Sequence, residues 1–181
     1  MFERERRRAI SKLTLGAGDV VLDAGCGTGL SFPLLRERIE SGGRIIGIEQ
    51  SAPMLERARD LVDANQWRNV KLISSPVEEA KIATAVDAVL FCYTHDILRT
   101  EAAVENVMEA VKSGGRVALV GGKFVRWFPP LNAIVRAAMK GSITAYEGLA
   151  APWSHVLRWV PDLRVRPTLF GALYVAWGTV K

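Results

Sequence analysis

Residues 20–30 read V-V-L-D-A-G-C-G-T-G-L, and this stretch decides how the chain folds. Apolar residues lead to Asp23, and glycines follow at 25, 27 and 29. That order describes a buried strand entering a turn too tight for side chains, with a helix starting behind it. Glycine takes positive φ freely and lets a ligand approach the backbone. Such a turn can hold a nucleotide-like molecule against a helix N-terminus.

Outward from this stretch, strands alternate with helices. Upstream, residues 1–16 form a basic N-terminal segment, with a helix over residues 3–15 that carries Ile10, Leu13 and Leu15 on one face and stops at Gly16-Ala17-Gly18. Downstream come a helix over residues 30–40 with Leu34, Leu35 and Ile39 inward, and a strand at Arg44–Glu49. Ser51 reads as the N-cap of the next helix, which carries Met54, Leu55, Ala58, Leu61 and Val62. Strands at Val70–Ser74 and Val86–Cys92 follow, then a helix over residues 101–111. Lys112-Ser113-Gly114-Gly115 turns the chain into a strand over residues 116–121.

Past Gly122 the alternation stops. Trp127-Phe128-Pro129-Pro130 breaks it, and helices are expected over residues 131–140 and 152–159. Two β-rich runs, 163–170 and 173–180, are joined by Gly171-Ala172, a link short enough to favour an antiparallel hairpin. The expected fold is α/β: a Rossmann-like doubly wound sheet of seven strands, mostly parallel with a C-terminal antiparallel hairpin. A single domain over residues 1–181 is expected, with residues 123–160 inserted on the substrate side.

With 49% apolar and 24% charged residues, the composition is that of a globular chain. No apolar run reaches the roughly 18–20 residues that span a bilayer, and the charged start has no signal-peptide core. Cys26 and Cys92 lie far apart and belong to no C-x-x-C pair, so reduced thiols, a cytoplasmic location and no metal site are expected. The net charge of +5 is uneven, with Arg4, Arg6, Arg7, Arg8 and Lys12 at the start and Arg158, Arg164 and Arg166 near the end. Such patches suit nucleic acid, anionic lipid or acidic substrates; Glu3 and Glu5 interrupt the first one, which leaves a solvated helix face as the other reading.

In an open α/β sheet, ligands bind beyond the carboxyl ends of the strands, where the strand order reverses. The first two strand ends supply Asp23 with its glycine turn, and Glu49, 20 residues after Gly29. A carboxylate there can accept hydrogen bonds from both hydroxyls of a ribose. A dinucleotide fingerprint, G-x-G-x-x-G, fails: its last position is Leu30, and the third glycine falls at 29.

An acidic residue followed by G-x-G-x-G resembles instead the first motif of the class I S-adenosylmethionine-dependent methyltransferases. Further pieces match in order: I-G-I-E-Q-S with Met54 behind it, V-D-A-V-L-F-C, and V-K-S-G-G-R-V-A-L-V. The resemblance implies S-adenosylmethionine as cofactor and S-adenosylhomocysteine as product. It implies that the backbone around Gly25, Cys26, Gly27 and Gly29 holds the amino-acid end of the cofactor, with Asp23 assisting. Glu49 would take the ribose hydroxyls, Gln50 and Met54 would flank the adenine, and Ser75-Pro76-Val77 would line its other side. Cys92, at the exit of the fourth strand, completes the set. Many relatives carry Asp where this chain has Pro76, and proline cannot accept from the adenine amino group; the Val77 N–H can still reach a ring nitrogen. Met54 and Val77 also read as ordinary core.

The implied reaction is displacement by a substrate nucleophile on a sulfonium methyl, so the rate rests on alignment and on a site fitted to the spreading charge. A base is needed only for a nucleophile that starts protonated. The candidates are Tyr93, Thr94, His95 and Asp96, just past the fourth strand, with Tyr93, His95 and Asp96 the ones expected to act. Asp96 either orients His95 or caps the helix that follows.

At the same strand exit, methyltransferases acting on the amino groups of nucleic-acid bases share a polar-Pro-Pro-aromatic run. Phe91-Cys92-Tyr93-Thr94 stands there instead, which points away from nucleic acid and towards a small molecule or lipid. R-R-R-A-I-S-K-L, G-C-G-T-G-L-S-F-P-L-L, W-R-N-V and F-G-A-L-Y-V-A-W-G look like bacterial phospholipid N-methyltransferases of the phosphatidylethanolamine type. That resemblance implies peripheral membrane contact through the basic N-terminal helix and Phe2, and an acyl-chain pocket from Trp127, Phe128, Trp153 and Trp159. A fold that keeps the pocket without turnover is the non-catalytic alternative.

Overall fold

The structure is a computed structural model that describes residues 2–123 and 151–181. The helix expected over residues 131–140, Trp127, Phe128 and most of the 123–160 insertion lie outside the described residues.

The elements are α1 (Phe2–Lys12), β1 (Val20–Ala24), α2 (Phe32–Ile39), β2 (Arg44–Glu49), α3 (Ala52–Ala64), β3 (Val70–Ser74), β4 (Val86–Cys92), α4 (His95–Arg99), α5 (Glu101–Glu109), β5 (Val111–Gly122), β6 (Arg164–Thr168) and β7 (Leu173–Thr179). They build one seven-stranded sheet in the order β3-β2-β1-β4-β5-β7-β6. The first five strands are parallel, and β7 runs antiparallel to both β5 and β6. The chain winds outward from β1 to β3, then returns to lay β4 against the other side of β1. Strand order reverses there, so a crevice opens above the carboxyl end of β1.

Side chains of a strand alternate between the two faces, and both faces here are covered, which is why the central strands are continuously apolar. Leu22, Ala24, Ile46, Ile48, Val89 and Phe91 pack on one face with Val104, Val107 and Met108 of α5. Val21, Ile45, Ala88 and Leu90 pack on the other with Leu13, Phe32, Leu35, Ile39 and Ala58. The seven strands and the closing antiparallel hairpin are as the sequence implies.

Local departures have physical reasons. Helix α1 ends at Lys12 because Thr14 takes a left-handed φ of 44°, although Leu13 stays fully buried. Strand β5 starts at Val111, paired with Val86, and absorbs the expected turn 112–115 as an irregularity before Arg116 pairs with Ala88. Gly114, at φ 76°, supplies the bend. Residues 154–158 form a 3-10 turn where a helix over 152–159 is expected. Another 3-10 turn, Leu169–Gly171, closes the hairpin, with Leu169 and Phe170 at φ 46° and 53°. No described helix is long and apolar enough to cross a membrane.

Candidate functional site

The turn after β1 is tied down by its own backbone. The N–H groups of Gly25 and Cys26 both donate to the Ile48 carbonyl at 2.9 Å, and the Gly29 N–H donates to the Cys26 carbonyl at 3.0 Å. Gly25 and Gly27 hold φ values of 77° and 57°. A Cβ at Gly25 would fall 2.5 Å from the Thr94 methyl, so this glycine lets the β4 exit close over the turn. A Cβ at Gly27 would meet nothing within 4 Å, so the backbone there looks into open space.

Two carboxylates flank that space. Asp23 is fully buried, and neither of its oxygens has a hydrogen-bond partner. Burial pushes its pKa up to about 7; the Arg6 guanidinium and the Ser31 side chain pull it down, and Glu49 adds to the rise. A buried carboxylate held only by a neighbouring charge is unfavourable, and a cationic ligand suits it. Glu49, 9% exposed, accepts from the Gly27 N–H at 3.0 Å and from the Ser51 N–H at 2.8 Å. It thereby clasps the glycine turn to the start of α3. A carboxylate has about four acceptor positions, so two remain for a ligand.

These groups line a cavity of about 560 Å³. Asp23, Gly25, Cys26, Gly27, Glu49 and Gln50 form one wall, with Met54 and Val77 beside them. Cys92, Tyr93, His95 and Asp96 form the opposite wall at the exit of β4. Gly29 and Pro76 are not on the lining. Gly29 packs against Phe32, and Pro76 starts a 3-10 turn over Val77–Glu79 that Asn106 pins through the Val77 and Ala80 carbonyls. Met54 stands at the rim, 46% exposed, whereas Val77 is buried.

The side chains of the second wall differ in what they can do. Burial pushes the Cys92 thiol up to about 11 and the Cys26 thiol higher, so both are protonated near neutrality and neither is a thiolate nucleophile. Tyr93 has a left-handed φ of 60° and donates its hydroxyl to the Phe2 carbonyl at 3.3 Å; its ring meets Phe2 edge-on, with centroids 5.3 Å apart. His95 is buried at the start of α4, and Thr94 occupies the N-cap position of that helix, with Asp96 in its first turn.

Sequence reasoning did not single out Arg6, Ser31 or Glu78 for this cavity, all of which line it, whereas Thr94, one of the candidates past the fourth strand, does lie on the lining. Arg6 lies three residues before Ala9 and four before Ile10, both buried, which puts it on the inward face of α1. Glu78 carries no such pattern.

The donor set fits S-adenosylmethionine. Asp23 offers an unpartnered anion for an ammonium, Gly27 an uncluttered backbone, and Glu49 spare acceptors for a ribose. Comparison with known proteins agrees. A methyltransferase domain profile matches residues 21–115. A phosphatidylethanolamine N-methyltransferase of Cereibacter sphaeroides is 30% identical over 166 residues, covering 90% of this chain and 73% of that protein. An uncharacterized methyltransferase of Anoxybacillus flavithermus is 27% identical over 133 residues, covering 74% of this chain. The chain spans 61% of the Anoxybacillus protein and 26% of a trans-aconitate 2-methyltransferase of Paracidovorax citrulli, which is 40% identical over 70 residues (36% of this chain). Among solved structures, the N-methyltransferase NodS of Bradyrhizobium japonicum in complex with S-adenosylhomocysteine superposes with a TM-score of 0.70 at 15% identity, over 99% of this chain and 87% of that one. A Thermotoga maritima S-adenosylmethionine-dependent O-methyltransferase gives 0.71 at 16% identity, over 98% of this chain and 64% of that one. At these identities the structures speak for the fold, and the profile and the Cereibacter relative speak for descent. The chain belongs to the methyltransferase domain family.

Proposed function

We propose that this chain transfers a methyl group from S-adenosylmethionine to a nucleophile on a small molecule or a lipid head group. The observation that carries this reading is the unpartnered Asp23 carboxylate beside the open Gly27 backbone and the Glu49 clasp, all at the strand-order reversal. When bound, the cofactor supplies an electrophilic methyl on a sulfonium. The protein's task is then alignment and exclusion of water. Asp23 holds the ammonium of the amino-acid end, Glu49 the ribose hydroxyls, and Gln50, Met54 and Val77 the base. Tyr93, His95 and Asp96 face the acceptor, and proton removal there is required only for an acceptor that starts protonated.

The narrower reading, an amine head group of a phospholipid, is favoured by the Cereibacter relative, whose likeness runs through 90% of this chain. The outer face of α1 supports it, with Arg4 and Arg7 exposed and Phe2 45% exposed at its start. Such a face suits an anionic membrane surface without spanning it. Residues 123–160 would serve as the substrate-side insertion.

The test is calorimetric titration with S-adenosylmethionine, S-adenosylhomocysteine and NAD⁺, followed by labelled methyl transfer to phosphatidylethanolamine vesicles and to soluble amines and phenols. Binding of the two sulfur ligands alone, with transfer to one acceptor class, is the expected outcome. Binding without transfer to any acceptor would favour a non-catalytic binding protein, and no binding would overturn the proposal.

A further inference from the structure

Among the described residues lining the cavity, Arg6 is the only arginine or lysine. It comes from α1, whose Ala9 and Ile10 are locked into the core with Leu13 just past its end, so its place over the site is fixed by packing. Its Nε is buried without a hydrogen-bond partner, and among the described residues no ion pair includes it. The adjacent Glu5 makes its ion pair with Arg8, whose guanidinium donates to Oε1 at 2.8 Å, and its Oε2 is buried without a hydrogen-bond partner. Arg6 lines the cavity together with Asp23 and Cys92, at the ends of β1 and β4, and its charge and hydrogen-bonding reach Cys92 as its charge reaches Asp23.

A half-buried guanidinium in no ion pair and a buried carboxylate with no hydrogen-bond partner thus face one cavity from different elements, close enough for one charge to act on the other but not joined directly. An α-amino acid presents the complementary pair, a carboxylate and an ammonium on one carbon. We infer that Arg6 binds the α-carboxylate at the amino-acid end of the cofactor while Asp23 takes its ammonium, an inference that rests on the cofactor reading above. Helix α1 is then a binding wall of the site as well as a surface helix. A guanidinium suits this task because its planar fork can meet a carboxylate through two parallel hydrogen bonds.

The same cation could serve a carboxylate or phosphate on the methyl acceptor, so the test separates the two sources. The full chain and its Arg6→Gln and Arg6→Lys variants are titrated with S-adenosylhomocysteine, with its decarboxylated analogue and with 5′-methylthioadenosine. Loss of a buried charge-assisted pair predicts that Arg6→Gln weakens S-adenosylhomocysteine about 10- to 100-fold. The other two ligands should change less than about twofold, and Arg6→Lys should recover part of the loss. Equal weakening of all three ligands would overturn the inference, because Arg6 would then merely hold α1 in place. Unchanged S-adenosylhomocysteine binding would also overturn it, and a weakened anionic acceptor in that variant would assign Arg6 to the substrate. If the unaltered chain binds no S-adenosylhomocysteine, the cofactor reading itself falls, and the inference with it.

Discussion

Asp23 is where binding and stability pull in opposite directions, and Asp23→Asn separates them. Its carboxyl titrates at about 7, against 3.8 for a free aspartate, chiefly because it is buried. The folded state therefore holds this proton more tightly than the unfolded chain does. The sign follows from linkage: the contribution of Asp23 is fully present below about pH 4 and is lost as pH rises towards 7. At roughly 1.4 kcal/mol per pH unit, the penalty is about 1.5 kcal/mol at pH 5 and on the order of 4 kcal/mol at pH 8. Asparagine does not ionise, so the variant escapes the rise of about 2–3 kcal/mol between those pH values. For a chain of this length that amounts to a relative gain of about 5–10 °C in Tm. Thermal unfolding of both proteins from pH 5 to pH 8 measures it. Any constant cost of burying the carboxamide cancels in the slope. A gap between the two proteins that does not change with pH would refute the reasoning.

The same titration should appear in binding. Asp23 must be ionised to hold an ammonium, so S-adenosylhomocysteine affinity should rise about tenfold between pH 6 and 8 and flatten above, while Asp23→Asn binds weakly without that slope. Glu49→Ala removes the acceptor of two backbone N–H groups, which should cost about 2–4 kcal/mol by chemical denaturation and weaken S-adenosylhomocysteine more than about tenfold; unchanged affinity would remove Glu49 from the ribose. Gly27→Ala meets no protein atom but keeps a left-handed φ, so unfolding should lose only about 1–2 kcal/mol while calorimetry shows ligand binding abolished by the methyl in the cavity. A variant that binds normally would mean that the ligand does not pass over Gly27. Tyr93→Phe gives up the 3.3 Å bond to the Phe2 carbonyl, with an expected loss below about 1 kcal/mol and a turnover change within about tenfold. A drop of about a hundredfold at unchanged cofactor affinity would put the phenol on the acceptor.

The sheet was legible because its signals are strong and local. Strands β1, β2 and β4 are buried on both faces, so their apolar runs end where polar turn residues begin, and β2, β3 and β4 have the bounds expected of them. Helix α4 was not, because H-D-I-L-R is barely one turn and shows no periodicity, and Thr100, extended at φ −91° and ψ 106°, separates it from α5. Gly114-Gly115 reads as a turn in any sequence; only the pairing of Val111 with Val86 makes it part of β5. At the site, strand-end chemistry placed Asp23, Gly27 and Glu49 on the cavity. Arg6 was visible as charge but not as a wall residue, since a run of arginines hides which one turns inward. The position of Glu78 depends on the 3-10 turn that follows Pro76, a shape that no local pattern encodes.

The seat of α1 also bears on the order in which the molecule can be assembled. Ala9, Ile10 and Leu13 share their core with Val120 of β5 and Val175 of β7, and the Lys12 ammonium lies 4.6 Å from the centre of the Trp177 ring. During synthesis the first helix emerges long before these strands exist, and contacts so distant in sequence form late. Arg6 leaves the ribosome long before β7 does, and the core that seats its helix is complete only once β7 is in place. Ligand capture therefore reports on a finished sheet, and a nascent chain halted before β7 would present the glycine turn without the wall that covers it.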